Sequence, residues 1–377
     1  MARRIRSARR ALVVMLVLSM LVPVAGPAAA GDQHQPRVRT ITDGLVGPLG
    51  LAVGRHGKVY VAEAFAGQVT KVSRRGAKRV VYRREGVNVL GGIDVTRRGS
   101  VVFTLSKGTA ETAPPNRAYL GKLRHRNKVK LLAALSRYEQ RRNPDAGNTY
   151  GFTDLPEGCS LPADAPIPQP QPHPGAVDSN PYAVTAHHGA YLVADAAGNS
   201  ILRVTTRGHR TRIRTVAVLP PVPQTVPADI AAEFGLPECV AGATYMSEPV
   251  PTDVEVGSDG QYYVSSLPGA PELPGTGSVF KVDPWSGRVR KVAGGLSGAV
   301  DLAVDAHGKV YVAELFGNRI SVIRHRRVRT FVEAPTPGAV EVDRRGVVYA
   351  TTNVFNQDQT PGNGTVVRIT RRHRRHH

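Results

Sequence analysis

The sequence predicts an all-β fold, a six-bladed β-propeller whose ring is closed by its own N-terminal strand, and three observations carry that prediction. A unit of four short strands recurs six times; the octapeptide HGKVYVAE occurs both as His56–Glu63 and as His307–Glu314; and the sixth unit is one strand short where the mature N-terminus has one strand too many. Alternating β-branched and aromatic residues punctuated by Gly-containing turns are strand and hairpin signals, not helical ones. Radial repetition of such units removes most exposed sheet edge.

The first 30 residues stand apart from this pattern. MARRIRSARR carries five arginines and no acid, ALVVMLVLSMLV is an apolar run of 12, and AGPAAA ends in an A-x-A-type site before Gly31. That is the plan of a secretory signal peptide cleaved near Ala30, with an apolar run too short for a comfortable membrane span. The paired arginines Arg3, Arg4 and Arg9, Arg10 raise the twin-arginine route, but the residues after them fit it poorly, so the general secretory route is expected. Loss of the five arginines lowers the formal net charge from +21 to +16. The protein is expected outside the cell.

Each unit of the expected single domain, 31–370, has an inner strand, a turn ending in Gly, and a second strand: GLAVGRHGKVYVAE, GIDVTRRGSVVFTL, YAVTAHHGAYLVAD, DVEVGSDGQYYVSS, DLAVDAHGKVYVAE and AVEVDRRGVVYATT. Third strands follow as GQVTKV, RAYLGKL, GNSILRV, GSVFKV, GNRISVI and GTVVRI. Fourth strands end the units, among them RVRKVA (Arg288–Ala293) and RVRTFV (Arg327–Val332). The sixth unit stops after GTVVRI, and its missing strand is RVRTIT, Arg37–Thr42. Internal repeats of this length are the signature of such ring architectures. Insertions are expected between blades at about 136–175 and 220–249, and 371–377 form a basic tail. Only two cysteines occur, Cys159 and Cys239, in the similarly spelled contexts LPEGC and LPEC. In an exported chain they read as one disulfide.

The units look like NHL-type repeats. With NPDAGNTYGF, DSNPY, YLVADAAGNSILRV and VPTDVEVGSDGQYYVSSLPGAPELPGTGSVFKV, the chain resembles the exported ScyD/ScyE family over nearly all of its mature length. The resemblance implies a secreted six-bladed propeller and carries no catalytic residues with it. YAVTAHHG in the third blade departs from the family, which usually has a glycine after the tyrosine and an Asp/Gly turn.

Propeller geometry sorts the charges onto faces. Turns joining first to second and third to fourth strands open on one face, the base, and read GRHG, SRRGAKR, TRRG, RHRNK, TTRGHR, DPWSGR, IRHRR and DRRG. Asn143–Leu202 has six acids and Thr215–Phe280 eight, neither with a Lys or Arg, and both long insertions lie there, on the opposite top face. The base suits an anionic cell-wall polymer or lipid surface, unless it is simply solvated. Nucleic acid is not expected, because the basic turns lack interleaved aromatics. A small molecule or a protein is the expected partner at the top, and the chain is expected to be a monomer.

Two sets of side chains are candidates for the site. Blades one, three and five end their second strand on an acid, Glu63, Asp195 and Glu314, which with Asp178 offers a top-face binding set; such an acid also commonly caps the hairpin by accepting backbone N–H bonds. Inner-strand residues Asp94, Asn180, Asp253 and Asp301 converge on the channel axis, where their oxygens suit Ca²⁺, or tie the strand ends together by hydrogen bonds. Six-bladed gluconolactonase-like enzymes use such a channel metal. They also need a glutamate on the first inner strand, and VGPLGLAV supplies none. No G-x-S-x-G, phosphate-cradling Gly loop, C-x-x-C or H-E-x-x-H occurs. The reading is a secreted propeller acting as a binding or scaffolding module, with a metal-dependent lactonase-type hydrolase or a lyase as the alternative.

Overall fold

The computed structural model of the protein describes residues 36–84, 89–107, 117–124, 128–162, 171–356, 360 and 362–370. The expected signal peptide and basic tail lie outside these residues. Among these residues, seven four-stranded sheets make up the fold. Strand accounts for 55% of it and helix for 7%, which places it among all-β proteins.

Five sheets are simple antiparallel meanders in chain order. The first joins Pro48–Val53, Val59–Glu63, Gln68–Val72 and Lys78–Arg83; the second Val89–Val95, Val101–Lys107, Arg117–Leu123 and Val129–Ala134. The third joins Pro181–His187, Ala190–Asp195, Ser200–Arg207 and Arg210–Val218; the fourth Pro251–Val256, Tyr262–Ser266, Gly277–Val282 and Val289–Leu296; the fifth Ala299–Val304, Val310–Glu314, Arg319–Arg324 and Arg327–Glu333. The sixth takes Ala339–Val342, Val348–Thr352 and Gly364–Thr370 from the end of the chain and Arg37–Leu45 from its beginning. Arg37 stands opposite Thr370 and Thr40 opposite Val367 in that last pairing.

Each sheet buries its two faces against its neighbours, so apolar residues fill six layers between sheets. Val254, Val264 and Phe280 pack with Leu192 and Ile201 between the third and fourth sheets. Leu51, Val61 and Val72 of the first sheet pack with Leu45, Ala339, Tyr349 and Val366 of the sixth. Inner strands neighbour one another in the order first, second, third, fourth, fifth, sixth and again first.

The seventh sheet comes from the two insertions. Thr149–Phe152 is flanked by His173–Pro174 and Thr244–Ser247, and the last pairs in turn with Val222–Thr225. Its apolar cluster holds Phe152, Val226, Leu236, Val240 and Tyr245, with Cys159 packed against it. Cys159 and Cys239 are disulfide-bonded across 80 residues of chain, with Cα atoms 5.8 Å apart. Among the described residues no helix is long and apolar enough to cross a membrane.

Candidate functional site

The inner strands surround a narrow cavity lined by Gly50, Tyr182, Asp253, Glu255, Asp301 and Glu341 among others. A register irregularity sits near the start of five inner strands, between Pro48 and Gly50, Leu90 and Ile93, Pro181 and Ala183, Pro251 and Asp253, and Ala299 and Asp301. Bulges of this kind re-aim side chains, and here Asp253 and Asp301 turn inward. The cavity measures about 20 Å³, room for about one water molecule.

Hydrogen bonds lace the second to sixth inner strands together in order, and Thr351 of the sixth sheet ties back to the first inner strand. Asp94 Oδ2 accepts the Ala186 N–H at 2.7 Å; Thr185 Oγ1 donates within reach of the Val254 carbonyl and of Glu255 Oε1 at 2.9 Å. Asp253 Oδ2 accepts from Leu302 N at 3.2 Å, Asp301 Oδ2 from Val340 N at 3.3 Å, and Thr351 Oγ1 donates to the Pro48 carbonyl at 2.7 Å. The Asp253 and Asp301 carboxyls also interact directly, and each changes the other's affinity for a proton. Burial pushes Asp94, Asp253, Glu255, Asp301 and Glu341 above the ordinary carboxyl range, and for the last four repulsion from neighbouring carboxylates adds to it. No lysine, arginine or histidine lines this cavity.

Of the four expected channel residues, Asp253 and Asp301 line the cavity and Asp94 and Asn180 do not, although Asp94 acts electrostatically on Asp253. The Asn180 N–H and carbonyl are spent on the Asp195 carboxylate and the Ala196 N–H. Among the described residues, no three His, Cys, Asp or Glu side chains converge as ligands of one ion. Glu255 and Glu341 were legible as inner-strand acids in PTDVEV and AVEV, since every second residue of a strand shares a face.

The acids that end three second strands play one repeated role. Glu63 Oε2 accepts Val46 N–H at 2.8 Å, Glu314 Oε2 accepts Ser297 N–H at 2.8 Å, and Asp195 Oδ1 accepts Asn180 N–H at 2.7 Å. Each also takes a hydroxyl, from Thr70, Ser321 and Ser179 respectively. They are 2%, 0% and 0% exposed, so they staple the approach to the inner strand from within. Asp178 lies just ahead, with Oδ1 accepting Ser179 N–H at 2.7 Å.

A second concavity lies between the third and fourth sheets. Arg203 and Thr205 alternate along one outer strand, Arg212 and Arg214 along the next, with Arg203 opposite Arg214 and Thr205 opposite Arg212. With Pro284 and Trp285 they line a groove of about 340 Å³. Trp285 is 91% exposed. Its turn is held firmly: Asp283 Oδ1 accepts the N–H groups of Trp285 and Ser286 at 3.0 and 2.8 Å, and these bonds lower the Asp283 carboxyl to about 2. Gly287, at φ 72°, sits so close to the third sheet that a Cβ would come within 2.5 Å of the Val216 carbonyl oxygen. Arg214 Nη2 donates to the Pro284 carbonyl at 3.3 Å. Nothing in the composition singled out this site, although DPWSGR contains the chain's one tryptophan.

What the fold defines is a β-propeller. No family model and no curated protein matches the chain. Among solved structures it is similar to the PQQ-bound aldose sugar dehydrogenase of Streptomyces coelicolor, at 15% identity and TM-score 0.56 over 91% of this chain and 100% of that one. It is similar as well to a gluconolactonase of Xanthomonas campestris, at 12% identity and TM-score 0.54 over 89% and 90%. A streptogramin B lyase matches at 13% identity and TM-score 0.51 over 89% and 98%.

Proposed function

We propose that this chain is an exported six-bladed propeller of the ScyD/ScyE kind, closed by Arg37–Leu45, that works as a binding module. It holds a phosphate-bearing cell-surface polymer on its basic side. The observation that carries this reading is the groove of Arg203, Arg212 and Arg214 beside the exposed Trp285. A planar guanidinium matches a phosphate with two parallel N–H bonds. An indole held rigid on its turn offers an apolar face to a sugar ring. A large exposed aromatic costs solvation unless something covers it, which is why such residues mark binding surfaces.

The test is sedimentation of the purified protein with insoluble phosphate-rich wall polymer at low salt. Arg203→Ser with Arg212→Ser and Arg214→Ser should abolish retention, and Trp285→Ala should weaken it about tenfold, the scale of one stacking contact. Retention that survives all three arginine changes sinks the proposal. Equal retention on anionic lipid vesicles makes the ligand a lipid surface instead.

A channel-centred hydrolase or lyase is the second reading, favoured by the Asp253 and Asp301 carboxyls, which line one cavity and interact directly. One carboxyl of such a pair can donate a proton while the other accepts one. A substrate would have to work at the channel mouth, given the cavity's size. Turnover of a lactone that disappears in Asp301→Asn supports this reading; unchanged turnover in that variant removes it.

A further inference from the structure

Between the second sheet and the insertion sheet the chain makes a helix, Leu135–Arg142, followed by the turn that NPDAGN spells. Asn143 ends the helix in a left-handed conformation, φ 34° and ψ 74°, and its N–H closes the last turn on the Glu139 carbonyl at 2.7 Å. This geometry turns Glu139 and Asp145 inward, each 1% exposed. Both Oε atoms of Glu139, Oδ1 of Asn143 and Oδ1 of Asp145 are buried with no hydrogen-bond partner. Their other atoms are committed: Asp145 Oδ2 accepts from Tyr150 Oη at 3.1 Å and Asn199 Nδ2 at 2.8 Å, and Asn143 Nδ2 donates to the Gly175 carbonyl at 2.9 Å.

Two glycines make the space for these oxygens. A Cβ at Gly175 would fall 2.2 Å from Asp145 Oδ1, and one at Gly198 would fall 2.9 Å from Glu139 Oε2 and 3.5 Å from Asp195 Cγ. The surroundings are acidic. Burial and then Asp195, Asp145 and Asp178 drive the Glu139 carboxyl up to about 9, with no basic group opposing them. Arg141 and Arg142 on the same helix are exposed, and His173 acts only on Asp145. Protonation of Glu139 does not resolve the site, since it supplies a single O–H donor and so answers at most one of the remaining unpaired oxygens. Buried oxygens left unpaired cost stability.

We propose that Glu139, Asn143 and Asp145 bind one calcium ion. A bidentate Glu139 with Asn143 Oδ1 and Asp145 Oδ1 supplies four of the six to eight oxygens calcium takes, backbone carbonyls and water completing the shell. Asp178 and Asp195 add negative potential without entering the shell. Magnesium, which holds its waters and demands a small octahedron, fits worse. The ion fastens the first insertion to the ring. Asn199 joins Asp145 to the Val250 N–H, bonded through Oδ1 at 3.1 Å, and Asn148 Nδ2 reaches the Leu219 carbonyl at 3.1 Å.

Purified protein stripped with EDTA and titrated with calcium chloride in a calorimeter should take up one equivalent, and its melting temperature should rise. Glu139→Gln and Asp145→Asn should each weaken uptake at least about tenfold, while Asp301→Asn in the channel should leave it unchanged. No uptake by the stripped wild-type protein at millimolar calcium overturns the proposal without recourse to any variant. So does uptake that survives Glu139→Gln and Asp145→Asn but is lost in Asp301→Asn. Equal affinity for magnesium overturns the assignment to calcium.

Discussion

At the residue scale, carboxyl groups are the currency of this chain, and their surroundings give them different work. Glu314 is paired with Arg319, whose Nε lies 2.8 Å from Oε1, and it also accepts backbone and hydroxyl donors. Glu341, facing Asp94, Asp253 and Glu255 in the channel, has only like charges around it and lies well above its ordinary 4.5. For an acid raised by folding, the folded state binds the proton more tightly than the unfolded chain. Its contribution is therefore complete below the unfolded value and is lost as pH rises through the folded one. Asp94, Asp253, Glu255 and Asp301 share that sign. Melting temperature, measured in chelator, should thus fall from pH 5 toward pH 8. Glu341→Gln should flatten that slope and raise the melting temperature at pH 8; a profile that climbs across the range would show these carboxyls to be ionised in the folded state.

At the scale of elements, the N-terminal strand is the one with the most consequences. It pairs along Gly364–Thr370, and it carries Leu45 into the layer between the sixth and first sheets, with Ile41 packed alongside. Without it Gly364–Thr370 becomes an unpaired edge, and edges of that kind invite association. A chain beginning at Gly44 should melt several degrees lower, since about 1 kcal/mol shifts a domain of this size by roughly 2–4 °C, and it should aggregate on storage. An unaltered melting curve would assign the closure to other contacts. The insertion sheet is stabilised differently. Beside its apolar cluster, the disulfide closes a long loop, a restraint of about 4 kcal/mol in the chain-entropy picture.

At the scale of the whole molecule, the proposed surface binding makes a prediction from the charge asymmetry. Arg324, Arg326 and Arg327 are exposed on one turn, and isolated exposed charges contribute little each, screened over about 8 Å at physiological salt. The groove adds the uncharged contact of Trp285 to its arginines. Binding to phosphate-rich polymer should accordingly have two parts. Replacing Arg324, Arg326 and Arg327 by Ser should lower affinity only at low salt, whereas Trp285→Ala should lower it equally at low and high salt. Parallel salt curves for the two variants would make the groove no different from any other basic turn.

Local pattern determined the strands, because alternation and turn glycines act over a few residues, and so RVRTIT already read as a strand without a hairpin partner. Matching LPEGC and LPEC in an exported-looking chain were enough to pair Cys159 with Cys239. The acids at the ends of second strands were visible too, and accepting backbone N–H bonds was one of the two roles the sequence offered for them. Only the packed structure spends Glu63, Asp195 and Glu314 on backbone N–H groups three to seventeen residues away. The same holds for Asp253 and Asp301, which lie 48 positions apart in the chain and come to line one cavity when bulges in neighbouring sheets aim both at one axis. Glu139 and Trp285 left no trace in the periodicity. One is defined by the partners it lacks and the other by a groove across two sheets, and such relations between distant segments exist only once the chain has folded.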